Sequence, residues 1–265
     1  MVEAAGRSGV DGSAPFDLSA PESVVGLIER IRPRHTILAA AATNVAWCET
    51  NPRESRVINV DGTAATATAC REVGSSLTFI STDYVFDGTN GPSGESEPTN
   101  PINEYGRQKL DAERAVLGES DRNLVIRTCQ VFGADPRRMN FVFRVADGLR
   151  DGVEVQAPLD LQGTPTFAPD LAAAIAELTL TEEFGVWHVA GESFLSRYEL
   201  AVAVAGAFGL DATGIKGIMA DQMDDPVNRP RRAGLRNERL HAKGLDWMTP
   251  LDRALESVAS MEVPR

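Results

Sequence analysis

Tyr105 and Lys109 carry the strongest chemical signal in this sequence. They stand in the run Asn103-Glu104-Tyr105-Gly106-Arg107-Gln108-Lys109-Leu110, in a chain with only three tyrosines and three lysines. Four residues apart at the head of a helical stretch, the two side chains share one helical face. A cation beside a phenol favours the phenolate and lowers a pKa that is ordinarily about 10. A phenol tuned in this way is a general acid/base for interconverting a carbonyl and an alcohol. The plain alternative is a surface tyrosine beside a solvated lysine, and two residues do not separate the readings.

A third group sharpens the choice. Ser81-Thr82-Asp83 follows directly on an apolar run, Ser76–Ser81, that reads as a strand. Ligands of open α/β sheets bind at the carboxyl ends of the strands. Thr82 therefore presents a hydroxyl where a substrate carbonyl would lie. Taken alone, Ser81-Thr82 reads equally well as a strand-end turn. Taken together, the phenol donates the proton and the hydroxyl orients the carbonyl oxygen. The ammonium lowers the phenol's pKa and can hold a ribose.

The elements that must position these groups alternate strand and helix. Val2–Ala5, His35–Ala42, Ser76–Ser81 and Asn123–Arg127 read as strands. Ala20–Arg32, Glu54–Val73 and Tyr105–Leu117 read as helices. Pro21 in a first turn and Pro33 after the last residue bound the first helix. This is the rhythm of a doubly wound parallel sheet. Beyond about residue 133 it loosens. Helices are expected near 140–150, 169–180, 196–208 and 250–259, with strands near 153–156 and 186–190. The expected organisation is a Rossmann-like domain over 1–133 and a smaller, mainly substrate-binding region over 134–265. Within the latter, 153–190 is expected to return strands and a helix to the sheet.

The composition excludes several classes. A net charge of −12 argues against nucleic-acid binding, which needs a basic stripe, and against docking on an anionic membrane. No apolar run approaches the length of a membrane span. Met1–Ala5 lacks the apolar region of a signal peptide. The scattered Cys48, Cys70 and Cys129 suit a reducing compartment without structural disulfides, so the cytoplasm is expected. His35, His188 and His241 show no metal-ligand spacing, and no metal site is expected. Trp187 and Trp247 read as core residues.

The chain resembles the extended short-chain dehydrogenases/reductases, and within them the dTDP-4-dehydrorhamnose reductase branch. The resemblance rests on Ile80-Ser81-Thr82-Asp83-Tyr84-Val85-Phe86-Asp87-Gly88 and on Pro101-Ile102-Asn103-Glu104-Tyr105-Gly106-Arg107-Gln108-Lys109. It continues through Arg127-Thr128, Val131-Phe132-Gly133, Asp160–Thr166, Pro169-Asp170-Leu171-Ala172, Trp187–Gly191 and Arg229-Pro230. It implies that Tyr105 is the proton donor, Lys109 its partner and Thr82 the carbonyl-orienting hydroxyl. It implies that Asp83 and Tyr84 touch substrate, that Ala39, Ala40, Ala41 and Thr43 line the cofactor, and that Asn59 steadies the proton path. The activity implied is NADP(H)-dependent reduction of a keto-deoxysugar nucleotide, and the resemblance allows a homodimer.

A nicotinamide enzyme of this class needs a glycine-rich turn between its first strand and first helix. Gly6-Arg7-Ser8-Gly9-Val10-Asp11-Gly12 matches the spacing, but no helix follows it. The register that fits better makes Val2–Ala5 the family's second strand. Arg7 and Ser8 then sit where the 2′-phosphate of NADP binds, so NADP(H) is expected over NAD(H). Asp17 and Leu18 then resemble the adenine-contacting pair. On this register the first strand, glycine loop and first helix, roughly 25–30 residues, are not in the chain. An exposed strand edge is the expected consequence, from a late start or a degenerate cofactor site.

The sequence also departs from the branch near the substrate. Gln130 replaces a tryptophan that would face the sugar, and Ala46 and Trp47 replace an Asp-Lys pair. The loop Asn228-Arg229-Pro230-Arg231-Arg232 is a candidate diphosphate clamp, because guanidinium forks match phosphate oxygens. Two other readings remain open. One is an NAD-dependent sugar-nucleotide epimerase or dehydratase, although Tyr84 stands where a dehydratase usually carries Glu. The other is a non-catalytic partner resembling the regulatory subunit of methionine adenosyltransferase.

Overall fold

The computed structural model describes residues 5–6, 14–224 and 227–261. The first half runs β1 (Ala5–Gly6), β2 (Ala14–Pro15), α1 (Pro21–Ile31), β3 (His35–Leu38), α2 (Val45–Thr50), α3 (Pro52–Arg56), α4 (Gly62–Val73), β4 (Ser76–Thr82), α5 (Glu104–Glu119) and β5 (Leu124–Thr128). The second half runs α6 (Phe141–Arg150), β6 (Val155–Pro158), β7 (Gln162–Gly163), α7 (Ala168–Leu180), β8 (Gly185–His188), β9 (Leu195–Ser196), α8 (Arg197–Ala207), β10 (Ile215–Ile218), α9 (Glu238–Ala242) and α10 (Leu251–Ser260).

The main sheet has the order β3-β4-β5-β8, and every pairing is parallel. Parallel strands covered on both faces read as continuous apolar runs, and Leu124-Val125-Ile126 is fully buried. On one face Val24 and Ile28 of α1, Ala67 and Cys70 of α4 and Val116 of α5 pack against Leu77, Phe79 and Val125. On the other, Leu171, Ala174 and Leu178 of α7 cover Leu124, Ile126 and Trp187. This is the expected Rossmann-like α/β architecture. A third core cluster joins α6, α8 and α10 over β6 and β10.

Three expectations need correction. The strand near 153–156 does not join the main sheet. It forms β6 and pairs in parallel with β10, because Ala157 packs into the core beneath α8. From 153–190, only β8 and α7 therefore serve the main sheet. The stretch 54–73 is not one helix, since a π-helical turn, Val57–Asp61, separates α3 from α4 and buries Asn59 and Val60 together. Trp187 is buried under the Arg239 guanidinium, but Trp247 is exposed.

At the N-terminal side, β1 and β2 form their own parallel pair. Among the described residues the main sheet ends at β3, where Ile37 is 52% exposed. Arg7 and Ser8, most of Val2–Ala5, and the glycine-spaced segment apart from Gly6 lie outside the described residues.

Candidate functional site

The corner where β4 ends and α5 begins brings the chemical groups together. The buried Thr82 closes β4, and a single 3-10 turn, Asp83–Val85, follows. Thr82 Oγ1 accepts from the Tyr84 backbone N–H at 3.2 Å and donates to Asp83 Oδ1 at 3.0 Å. Asn103 caps α5, its Oδ1 accepting from Gly106 N–H at 2.8 Å, so Tyr105 leaves the first turn towards the strand end. The Tyr105 side chain stands beside Thr82, and its ring meets Tyr84 edge-on with centroids 6.0 Å apart. Gly106 is dictated by this approach. A Cβ there would lie 2.1 Å from the Tyr84 carbonyl oxygen.

Lys109 shares the helical face with Tyr105, as its spacing requires, and it is buried. Its Nζ donates to the Ile80 carbonyl at 2.6 Å and lies 3.9 Å from the centre of the Phe79 ring. Burial brings its pKa down to about 7, against the opposing pull of Glu113. The expected depression of the phenol's pKa is not what the geometry produces. Burial pushes Tyr105 well above its ordinary value, and Asp83 adds to the rise. Tyr84 is pushed up to about 12 by burial. The Lys109 ammonium is held against β4 by its hydrogen bond to Ile80.

Beneath the corner, Glu113 accepts both forks of Arg127, at 2.9 and 2.7 Å, and the Ser81 hydroxyl at 2.5 Å. All three side chains are buried. Bidentate pairing of this kind satisfies both charges and fixes α5 against β4 and β5.

The wall across from Tyr105 comes from the second half of the chain. Burial pushes the Asp83 carboxyl up, while Cys129, Thr82 and the Gly234 N–H hold the rise back. The Gly234 N–H donates to Asp83 Oδ2 at 3.1 Å. Asn103 Nδ2 donates to the Asn228 carbonyl at 3.0 Å, and the Arg232 N–H donates to the Gly88 carbonyl at 3.0 Å. The arginine-rich loop and the residues just after it are thus tied to this corner at three points. Two of its arginines are already engaged: Arg231 pairs with Asp160, and Arg232 donates to Gln162 Oε1 at 2.8 Å and the Gly91 carbonyl at 3.2 Å. Arg229 lines a 320 Å³ cavity with Leu161, Asn228 and Arg231, and its charge acts on Tyr84. Gln130 adopts φ 46° and crosses over Gly163, where a Cβ would meet Gln130 Nε2 at 2.2 Å.

On the cofactor side, Ala39 to Thr43 continue from β3, with Ala39 and Thr43 exposed and Ala40 and Ala41 half-buried. Asn59 fixes this segment: its Oδ1 accepts from Ala42 N–H at 2.8 Å and its Nδ2 donates to Ala42 O at 3.1 Å. Nδ2 also reaches Gln108 Oε1 at 3.0 Å, linking the segment to α5. Asp17 turns the chain after β2 by accepting from Ser19 N–H at 2.9 Å. Leu18 is buried in the core, with its carbonyl packed against Gly62. Among the described residues, no glycine-rich turn links a strand of the main sheet to a helix N-terminus.

Sequence reasoning missed Asn103, Glu113, Cys129, Gly234 and Arg197, whose charge acts on Asp83. Asn103 and Glu113 carried a usable signal, a cap before the tyrosine and a carboxylate on its helical face. The others reach the corner through long-range packing, which spacing does not encode.

A doubly wound parallel sheet with hydroxyl, phenol and ammonium at one strand end is the layout of the nucleotide-dependent short-chain dehydrogenases/reductases. Residues 3–262 match the RmlD substrate binding domain family, and the chain belongs to it. It is 32% identical over 247 residues to a dTDP-4-keto-6-deoxy-D-glucose reductase of Streptomyces niveus, covering 90% of this chain and 84% of that protein. It is 30% identical over 261 residues to the methionine adenosyltransferase 2 subunit beta of Danio rerio, covering 93% and 80%. Its structure superposes with a TM-score of 0.87 on a dTDP-4-dehydrorhamnose reductase of Bacillus anthracis in complex with NADP. That match is at 27% identity and covers 93% of this chain and 89% of that one.

Proposed function

We propose that this chain is an NADP(H)-dependent reductase that converts a 4-keto sugar nucleotide to the alcohol. The observation that carries the reading is the convergence of Thr82, Tyr105 and Lys109 at the carboxyl end of β4. A bound nicotinamide supplies the hydride. Thr82 orients the carbonyl oxygen, and Tyr105 gives it the proton. Tyr105 acts as the neutral phenol, the protonation state that reduction requires of its proton donor. Lys109 uses one N–H on the Ile80 carbonyl, leaving two to hold ribose hydroxyls beside the phenol.

The residues present fit the nicotinamide-ribose half of the cofactor: Lys109, Tyr105, Asn59 and the small, open segment Ala39-Ala40-Ala41 with Thr43. From the sequence pattern, Asp17 and Leu18 are assigned to the adenine and Arg7 and Ser8 to the 2′-phosphate, which makes NADPH the expected partner. No described residues are assigned to the pyrophosphate. Asp83, Tyr84, Gln130 and Arg229 border the substrate. The domains proposed are 1–133 for the cofactor and 134–265 mainly for the substrate, and the cytoplasm is the proposed location.

The test follows NADPH absorbance with a dTDP-4-keto-6-deoxy sugar and with its UDP counterpart. Turnover with either supports the reading, and NADPH should be preferred to NADH. A second reading draws on the likeness to methionine adenosyltransferase subunit beta. No turnover on any keto sugar nucleotide, together with stable association with a methionine adenosyltransferase, would sink the reductase in favour of a regulatory subunit.

A further inference from the structure

The arginines around the substrate wall differ in how they are used. Arg231, Arg232 and Arg236 are each tied to carboxylates or carbonyls of the chain itself. Arg197 is not. It opens α8 just after the strand pair β7–β9, and its backbone N–H donates to the Leu161 carbonyl at 2.9 Å. Its half-buried guanidinium rests on the Phe141 ring, 4.7 Å from the centroid. Among the described residues it has no carboxylate at ion-pair distance and no hydrogen-bond acceptor. A guanidinium stacked on one face keeps all five N–H donors in its plane available. Withdrawing it from water without an anion is unfavourable.

Its position suggests which anion completes it. On one side, the Arg197 charge acts on Asp83, Tyr84 and Cys129, the residues around the carbonyl-orienting Thr82. On the other, the carbonyl it anchors belongs to Leu161, which lines the 320 Å³ cavity shared by Asn228, Arg229 and Arg231. Arg197 thus lies between the reacting corner and a polar cavity. In a sugar nucleotide, the diphosphate is the segment between the sugar carbons and the nucleoside. We infer that Arg197 receives the diphosphate of the substrate and so sets how far the keto carbon reaches towards Thr82 and Tyr105. The inference rests on the sugar-nucleotide reading given above. It assigns Arg197 to binding and positioning, with no part in proton transfer.

The experiment is calorimetric titration of the full chain and of Arg197→Met and Arg197→Lys with dTDP, thymidine, inorganic pyrophosphate and NADPH. Arg197→Met should weaken dTDP and pyrophosphate about tenfold or more, the scale of lost charge-assisted hydrogen bonds. Thymidine and NADPH should bind as before, which also shows that the variant is folded. Arg197→Lys should recover part of the loss, because a point charge replaces the fork. In steady state the change should raise KM for the keto sugar nucleotide more than it lowers kcat. Unaltered dTDP and pyrophosphate affinity in Arg197→Met would overturn the inference, as would a wild-type chain that binds neither. If wild-type binds pyrophosphate through Arg197 but dTDP no more tightly, the anion role stands and the sugar-nucleotide reading falls.

Discussion

The two sides of the main sheet are built to different standards. Around the ends of β4 and β5, a connected set of hydrogen bonds fixes the frame of the reacting corner. Glu113 holds Arg127 and Ser81, Asn103 holds Gly106 and Asn228, and Asp83 holds Thr82 and Gly234. At β3, by contrast, the sheet stops, an isoleucine stands in solvent, and β1 and β2 pair only with each other among the described residues. The frame around the groups assigned to proton transfer is therefore over-determined, whereas the cofactor side relies on one short segment clamped by Asn59. Damage should be costly at the corner and cheap at the edge.

The largest effect on stability is expected from Glu113→Ala. It leaves the buried Arg127 guanidinium without its carboxylate, and breaking such a pair costs about 3–5 kcal/mol. Urea unfolding monitored by circular dichroism measures it. A loss under about 1 kcal/mol would mean that the network does not hold the corner.

The next effect is a slope with pH. The folded state holds Lys109 at a pKa of about 7, while the unfolded chain protonates it up to about 10.5. Between these values the unfolded state binds the extra proton, so stability should rise as pH increases from about 7 towards 10. Above 10 the buried tyrosines reverse the trend, because their folded pKa values are raised. Lys109→Met should flatten the rise, and an unchanged slope in the variant would assign it to other groups.

Gly106→Ala tests the contact between helix and strand-end turn. The added methyl meets the Tyr84 carbonyl, so a loss of about 1–3 kcal/mol is expected, with a fall in kcat as Tyr105 shifts. Wild-type stability and rate would show that the approach tolerates a side chain. The smallest effect belongs to the edge: Ile37→Ser should change stability by no more than about 0.5 kcal/mol. A loss above about 1 kcal/mol would reveal that β3 is covered, and the contrast between the two sides would fail.

The sequence conveyed the parts of this arrangement that are local. Apolar runs marked β4 and β5, proline marked the start of α1, and a spacing of four put Tyr105 and Lys109 on one face. Where long-range packing decides, the reading failed. Residues 57–61 look like ordinary helix, yet the side chain of Asn59 is drawn inward to clamp Ala42 and a π turn results. Val155–Pro158 looks like another strand of the main sheet, yet its partner lies at 215–218, some sixty residues on. The direction of the Tyr105 pKa was misjudged because spacing gives proximity to a lysine but not burial, and burial dominates here. Arg197 had no local signature, since its place opposite Asp83 depends on how β9 returns to β7.

The central claim is that Tyr105 protonates the reduced carbonyl oxygen. It is tested most directly by comparing kcat for wild-type chain and Tyr105→Phe, with NADPH and a 4-keto sugar nucleotide at saturation. The phenyl ring keeps the packing against Tyr84 and removes only the hydroxyl. The account predicts a fall of about 10²–10⁴-fold with KM nearly unchanged. A variant that turns over at the wild-type rate would contradict it.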